Sequence, residues 1–270
     1  MIDKITGMKN LFDNLRDTEV LEDIQSNMYA FISLNNGTGA KTVATQIAVE
    51  MSKENKRVGL IDMNFIQPGL SFMVNETVTK DKSILQYFNA GADIKDCIIP
   101  VKERKNMWLV STSPLDIPLD MAEINHEMLS EMLDYFETSF DYVIMYMSYL
   151  PLAEWFVYTL EHIDKGYIIW DEQLDNILKT KAMIDFVHQI SYKANSINNI
   201  VLNKTSDEAY NFNAIDEIQC NFIGELPYIK EIQLLKNEGK LYLDKKMNVD
   251  KKYRDGVEKI IKDMYRKVLK

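Results

Sequence analysis

The segment ISLNNGTGAKTVATQIA, residues 32–48, has the composition of a loop that holds phosphate. An apolar stretch leads into a turn that contains Gly37 and Gly39, and a helix-forming stretch follows. Glycines permit such a turn, and the unpaired N–H groups at a helix start attract anions. A lysine normally completes such a loop by contacting the phosphates. Here Ala40 occupies that position and Lys41 follows it, so the residues predict phosphate chemistry in an altered form.

Short apolar stretches alternate with amphipathic stretches along the chain. The apolar ones predict strands that begin near residues 28, 57, 107, 140, 165, 197 and 220. The amphipathic ones predict helices over residues 42–54, 83–91, 121–139, 152–163, 174–191 and 250–270. This alternation predicts an α/β fold, a doubly wound and mostly parallel sheet with helices on both faces. Ligands of such sheets bind at the carboxyl ends of the strands, where the glycine-rich turn lies.

Composition narrows the function classes. The 270 residues carry a net charge of −10, which argues against a broad nucleic-acid-binding face. Cys97 and Cys220 are the two cysteines and lie far apart, so neither a disulfide framework nor a zinc site is expected. The N-terminus does not resemble a secretory signal, and no apolar run approaches the ~20 residues of a membrane span. We therefore expect a cytoplasmic protein.

The chain divides into two parts by its patterns. Residues 1–26 have apolar positions at helical spacing and predict an N-terminal helical appendage, and residues 27–270 predict a single α/β domain. The appendage either packs on the domain or docks onto a partner or a membrane surface. The amphipathic C-terminal helix has the same two interpretations, the last helix of the domain or a membrane-targeting helix.

Several motifs occur in the order typical of one family. NNGTGAKT is similar to the deviant Walker A motif, and RVGLIDMNFIQPGLSFMV is similar to the second motif. FDYVIMYMSYLP resembles the Walker B strand, and IVLNK and FIGELPYIKEIQLLKNEGK resemble the late segments near the base. Together they resemble the ParA/MinD group of P-loop ATPases over nearly the whole chain. The resemblance implies a P-loop fold, an ATP site with Mg²⁺ and a homodimer.

The same alignment replaces most of the side chains that the family uses for catalysis. Asn35 stands where the family has a lysine that reaches across a dimer, and Ala40 stands at the phosphate-binding lysine. Lys41 takes the place of the hydroxyl that binds Mg²⁺. Asn64 replaces a carboxylate linked with water activation, and Tyr146 replaces the Walker B aspartate. Because phosphoryl transfer depends on positioning and charge stabilisation, we expect no catalytic residue, no metal site and little or no turnover.

Backbone features of the loop remain, so weak binding of ATP or ADP without Mg²⁺ is the alternative to no cofactor. The candidate nucleotide-binding residues are Asn36, Gly37, Thr38, Gly39, Ala40, Lys41, Thr42, Asp62, Asn203, Lys204 and Pro227. Lys41 either substitutes for the missing lysine or occupies the vacant metal position, where its ammonium neutralises Asp62. We favour the second interpretation because of the direction of the side chain at the helix start.

The resulting functional hypothesis is a pseudo-ATPase that acts as a positioning, assembly or scaffold factor for a cellular machine such as a pilus or a secretion system. The TadZ/CpaE-like branch is the nearest functional fit. The alternative is an active ATPase for plasmid partition or for placement of division or flagellar machinery. Expected partners are proteins of the assembly and a second copy of the chain. Peripheral membrane contact through the terminal helices is a further alternative, and nucleic acid is not expected.

Overall fold

The computed structural model describes residues 27–117, 124–150, 153–173, 175–190, 196–206, 218–244 and 248–265. Eight strands form one sheet in the order β3-β4-β2-β5-β1-β6-β7-β8. They are β1 Met28–Ser33, β2 Val58–Asp62, β3 Ile99–Pro100, β4 Met107–Val110, β5 Tyr142–Ser148, β6 Lys165–Trp170, β7 Asn199–Thr205 and β8 Asn221–Pro227. All neighbouring strands are parallel except the pair β3 and β4. The predicted doubly wound α/β fold is confirmed.

Helices connect the strands and cover both faces of the sheet. They are α1 Ala40–Ser52, α2 Leu70–Met73, α3 Leu85–Ala90, α4 His126–Ser139, α5 Glu154–His162, α6 Asp175–Ile190, α7 Lys230–Asn237 and α8 Lys251–Met264. Three short 3₁₀ turns lie at Lys80–Lys82, Ile94–Cys97 and Tyr242–Asp244.

Alternate residues of the central strands enter two separate hydrophobic cores. In β1, Ala30 and Ile32 pack into the core beneath α4, α5 and α6, whereas Phe31 packs with α1 and α8 on the opposite face. Successive side chains of a strand point to opposite faces, so a strand covered on both sides must be apolar at every position. This requirement explains the uninterrupted apolar runs in the sequence.

The structure differs from the sequence-based elements in a few places. The fourth helix begins at His126, because the Asn125 side chain accepts a hydrogen bond from the Met128 N–H at 3.0 Å and caps it there. The antiparallel edge strand β3 and the short helices α2 and α7 were not predicted. The predicted N-terminal appendage, residues 1–26, lies outside the described residues.

The last helix, α8, packs against the domain rather than standing apart from it. Tyr253, Val257, Ile260 and Met264 are buried, and the Tyr29 hydroxyl donates to the Met264 carbonyl at 2.9 Å. The docked interpretation of this helix therefore holds for its described part. Within the described ranges, none of the helices combines the length and the apolarity that crossing a membrane requires.

Both cysteines are free thiols in the interior. Burial raises the pKa of the Cys97 thiol, and it raises the pKa of Cys220 to about 11. Because the thiolate is the reactive form, we expect iodoacetamide at pH 8 to modify native Cys220 roughly a hundredfold more slowly than an unfolded cysteine. Mass spectrometry with and without 8 M urea measures this ratio. Equal labelling rates in the two conditions would contradict the buried placement.

Candidate functional site

A cavity of about 320 Å³ opens at the carboxyl edge of the sheet. The turn after β1, the segment after β2 and the ends of β7 and β8 form its walls, and α7 borders it on the outer side. This is the place where ligands bind in open α/β sheets. Its lining side chains therefore define the candidate site.

The turn after β1 keeps a tight, glycine-dependent shape. Gly37 and Gly39 both have a φ of 91°, a left-handed conformation that other residues rarely adopt. Asn203 Nδ2 donates to the Thr38 carbonyl at 2.7 Å, and Lys204 Nζ donates to the Gly37 carbonyl. A Cβ on Gly39 would lie 2.3 Å from Asn203 Nδ2. The end of β7 is thus fastened directly onto the turn.

Asp62, the last residue of β2, is completely buried and bonded to backbone groups. Its carboxylate accepts hydrogen bonds from the N–H groups of Asn64 at 3.2 Å, Gly69 at 2.7 Å and Leu70 at 3.0 Å. Burial raises the pKa of this carboxyl, and the nearby Lys41 ammonium and the three N–H donors oppose that change. The aspartate therefore organises the segment between β2 and α2.

Lys41 lies between the cavity and this buried carboxylate. Its Nζ donates to the Gln67 carbonyl at 2.8 Å and stands 5.1 Å from the centre of the Tyr146 ring. Burial lowers the pKa of the ammonium, the charge of Asp62 raises it, and the charge of Lys236 lowers it further. Lys41 thus interacts electrostatically with Asp62, while its hydrogen bond goes to a backbone carbonyl instead of to the carboxylate.

The arrangement does not fit a divalent cation. Mg²⁺ requires oxygen ligands in octahedral geometry, usually one or two carboxylates with waters. The Asp62 carboxylate already accepts three N–H donors, and Tyr146 stands directly beside it in the register of β2 and β5. The Lys41 ammonium adds positive charge at the same place. In the described part of the chain, no group of three or more His, Cys, Asp or Glu residues is placed to hold a metal.

The cavity does fit an anion. Lys41, Lys204 and Lys236 line it, and no Asp or Glu among the described residues does so. The first N–H groups of α1 have no partner within the helix and add further donors at the cavity wall. Phosphate groups are thus the chemistry that this set of donors matches.

Asn35, where the resemblance expects a lysine directed at another subunit, is bound within its own chain. Its Nδ2 donates to Asn176 Oδ1 at 2.9 Å and to Asp175 Oδ1 at 3.3 Å, and Lys179 Nζ donates to its Oδ1. Asn176 in turn donates to Asp171 Oδ1 at 2.8 Å. These bonds attach the turn to the start of α6.

The structure brings most of the predicted residues together. The predicted nucleotide-binding residues that line the cavity are Asn36, Gly37, Gly39, Ala40, Lys41, Thr42, Asn203, Lys204 and Pro227. Thr38 and Asp62 are buried behind them. Among the altered positions, Asn64 and Tyr146 line the cavity together with Ala40, whereas Asn35 contacts α6. Whether these residues bind a nucleotide stays a prediction.

Sequence reasoning missed part of the wall. Gln67 and Lys236 line the cavity and were not predicted to do so. A usable signal existed for Lys236, because Ile229, Ile232 and Lys236 are spaced three and four residues apart and share one face of a helix. No comparable signal marked Gln67, whose role depends on a long-range contact with α1.

With this strand order and with the glycine turn at the end of β1, the chain has the fold of the ParA/MinD P-loop ATPases. Residues 26–153 match a family model described as an AAA domain. Among curated proteins, none matches the chain.

Solved structures with this fold include proteins of several roles. The cell division ATPase MinD of Pyrococcus furiosus has a TM-score of 0.72 and 16% identity, over 88% of this chain and 99% of that chain. A ParA family ATPase of Chlorobium tepidum has a TM-score of 0.72 and 18% identity, over 86% of this chain and 98% of that chain. The MinC:MinD cell division protein complex of Aquifex aeolicus has a TM-score of 0.70 and 18% identity, over 91% of this chain and 98% of that chain. At such identities the similarity establishes the fold.

Proposed function

We propose that this chain is a ParA/MinD-like pseudo-ATPase that serves as a positioning, assembly or scaffold factor for a cellular machine. One observation carries the proposal. The pocket keeps its glycine turn and its place in the fold, while the Lys41 ammonium and the Tyr146 ring stand where the resemblance requires metal ligands. The protein thus keeps the architecture of a nucleotide switch without the groups that perform hydrolysis.

The missing groups act on different parts of phosphoryl transfer. Ala40 offers no charge to the transferred phosphate, and Asn64 offers no carboxylate near the attacking water. Removing one donor that stabilises transition-state charge lowers a rate about 10²–10³-fold. Because the metal site is lost as well, we do not expect ATP hydrolysis fast enough to drive repeated conformational changes.

The contacts of Asn35 favour a scaffold function rather than a cycle in which nucleotide binding drives dimer formation. In the resemblance, a lysine at this position reaches into the partner's site, but Asn35 is bound to α6 of its own chain. A homodimer of this protein would therefore form through other contacts. The MinC:MinD complex shows that a protein with this fold binds another protein, and we propose protein partners here too. The TadZ/CpaE-like branch, which the resemblance suggests, fits such a role.

The direct test is phosphate release from Mg-ATP by the purified chain. We expect no release above that of buffer, with or without added DNA or lipid vesicles. Gly39→Ala is the matched control, since its Cβ would strike the Asn203 amide that fastens β7 to the turn and so distort the turn at the pocket. Release by the wild type that disappears in Gly39→Ala would overturn the proposal in favour of an active partitioning or site-placement ATPase.

The positioning role has its own readout. A fluorescent fusion expressed at native level should form a focus at one site in the cell, and the focus should persist in an Ala40→Val variant. This variant fills part of the pocket wall without altering the outer surface, because Ala40 is buried. Uniform fluorescence of the wild-type fusion would contradict a positioning role.

A further inference from the structure

We propose that the pocket binds a phosphate-bearing small molecule without a divalent cation, and that the ammonium of Lys41 supplies the positive charge that a metal would otherwise bring. This inference rests on the proposed function, since it assumes that the site does not hydrolyse Mg-ATP. It adds the chemical class of the ligand and the reversed effect of Mg²⁺.

The charge of the pocket is opposite to that of the protein. The whole chain has a net charge of −10, yet three lysines and no carboxylate of the described residues line the cavity. The charge of Lys236 lowers the pKa of Lys41, so these two ammoniums repel each other beside the cavity. An anion with two or more negative charges relieves that repulsion, and a neutral ligand does not.

Lys41 has N–H donors left over for a ligand in the cavity. Its ammonium has three N–H donors, and the hydrogen bond to the Gln67 carbonyl uses one of them. The remaining donors belong to a side chain that lines the cavity. A carbonyl anchor and the Tyr146 ring hold the charge in place, so little conformational entropy is lost when a phosphate arrives.

Lys204 provides a similar donor on the opposite side of the turn. Its Nζ donates to the Gly37 carbonyl, which places its charge beside the glycine turn. Lys236 lies on α7, is exposed, and approaches closely enough to lower the pKa of Lys41. Thus the turn, the segment after β2 and α7 each contribute one cation or its anchor.

A divalent cation should oppose this binding. Mg²⁺ chelates a diphosphate and lowers its negative charge, so the complex gains less from three lysines than the free anion does. The complex would also bring Mg²⁺ close to the Lys41 ammonium, where like charges repel. Metal-dependent sites show the reverse order of affinities.

The experiment is calorimetric titration of the full chain with two probes, inorganic pyrophosphate and ADP, each in EDTA and in excess Mg²⁺. We expect both probes to bind in EDTA and their Kd to rise at least about tenfold in Mg²⁺. Equal affinity for the two probes identifies the phosphates as the whole recognised group. Tighter binding of ADP identifies a nucleotide, and either result supports the proposal.

Variants assign the effect to the pocket. Lys41→Met should raise the Kd for pyrophosphate in EDTA roughly 10-fold to 100-fold, and Lys236→Met should raise it less, because that lysine is exposed. Lys181→Met removes one charge from the outer face of α6 and should leave the Kd unchanged. Lys236→Met and the Mg²⁺ comparison test the proposal even if Lys41→Met does not fold.

Three results would overturn the inference. They are no pyrophosphate or ADP binding at millimolar concentration, binding that requires Mg²⁺, and an equal loss of affinity in Lys41→Met and Lys181→Met. Absent binding together with absent phosphate release would leave the proposed function standing. Mg²⁺-dependent binding with phosphate release would overturn both.

Discussion

Tyr146→Asp, which restores the acid that the resemblance places on β5, is expected to destabilise the protein by about 4 kcal/mol at pH 7 without producing ATPase activity. Tyr146 is 5% exposed and lies beside Asp62 in the strand register. The substitution removes an aromatic ring from the core and places a second carboxylate next to a buried one. Urea unfolding followed by far-UV circular dichroism measures the loss, and phosphate release tests the activity.

The destabilisation should depend on pH in a defined direction. Burial already raises the pKa of Asp62, and a neighbouring carboxylate would raise it further. An acid with a raised pKa in the folded state makes the protein less stable as pH rises above its unfolded pKa of about 4. The deficit of Tyr146→Asp should therefore shrink between pH 7 and pH 5. Tyr146→Phe, which keeps the ring, should cost about 1 kcal/mol at both values.

A Tyr146→Asp protein as stable as the wild type at pH 7 would contradict this account. It would show that the space beside Asp62 accepts a second charge, as a metal site does. Phosphate release by this variant in Mg-ATP would contradict it more strongly.

Asp62→Ala is expected to lower the free energy of unfolding by about 3–5 kcal/mol. The substitution leaves the N–H groups of Asn64, Gly69 and Leu70 without their acceptor. Each unsatisfied buried donor destabilises by roughly 1–3 kcal/mol. The same urea titration measures the change, with Asp141→Ala, at a half-exposed carboxylate bonded to Arg57, as the control.

Asp62→Ala would instead raise the free energy of unfolding if Asp62 were a metal ligand whose buried charge destabilises the protein. Removal of an uncompensated buried carboxylate would then make the protein more stable. Asp62→Asn removes the charge and keeps one acceptor oxygen, which can still serve Gly69 and Leu70, while its NH₂ replaces the oxygen that accepts from Asn64. We expect it to lose less than half of what Asp62→Ala loses.

The sequence predicted the sheet because burial on both faces demands continuous apolar strands, and six of the eight strands have such runs, the exceptions being the edge strands β3 and β8. β3 has only two residues, Ile99–Pro100, too few for a pattern. The glycine turn was equally readable, since Gly37 and Gly39 need a positive φ that few other residues tolerate.

The fine structure of the pocket was not readable in the same way. The direction of the Lys41 ammonium depends on the Gln67 carbonyl, 26 residues away in the chain. The bonds of Asn35 depend on α6, 140 and 141 residues away. Such contacts arise from the packing of distant elements, and no local periodicity or spacing encodes them.

The hydrogen bonds between Asn35 and α6 tie the glycine turn to one helix of the same chain. The lysine that the resemblance expects at this position would reach into a neighbouring subunit and connect the sites of two chains. Asn35 instead links the turn to the first residues of α6, a helix whose Leu178 is 72% exposed. A displacement of the turn would therefore have to stretch hydrogen bonds to a helix of the same molecule. The turn and the start of α6 therefore form one hydrogen-bonded unit within a single molecule.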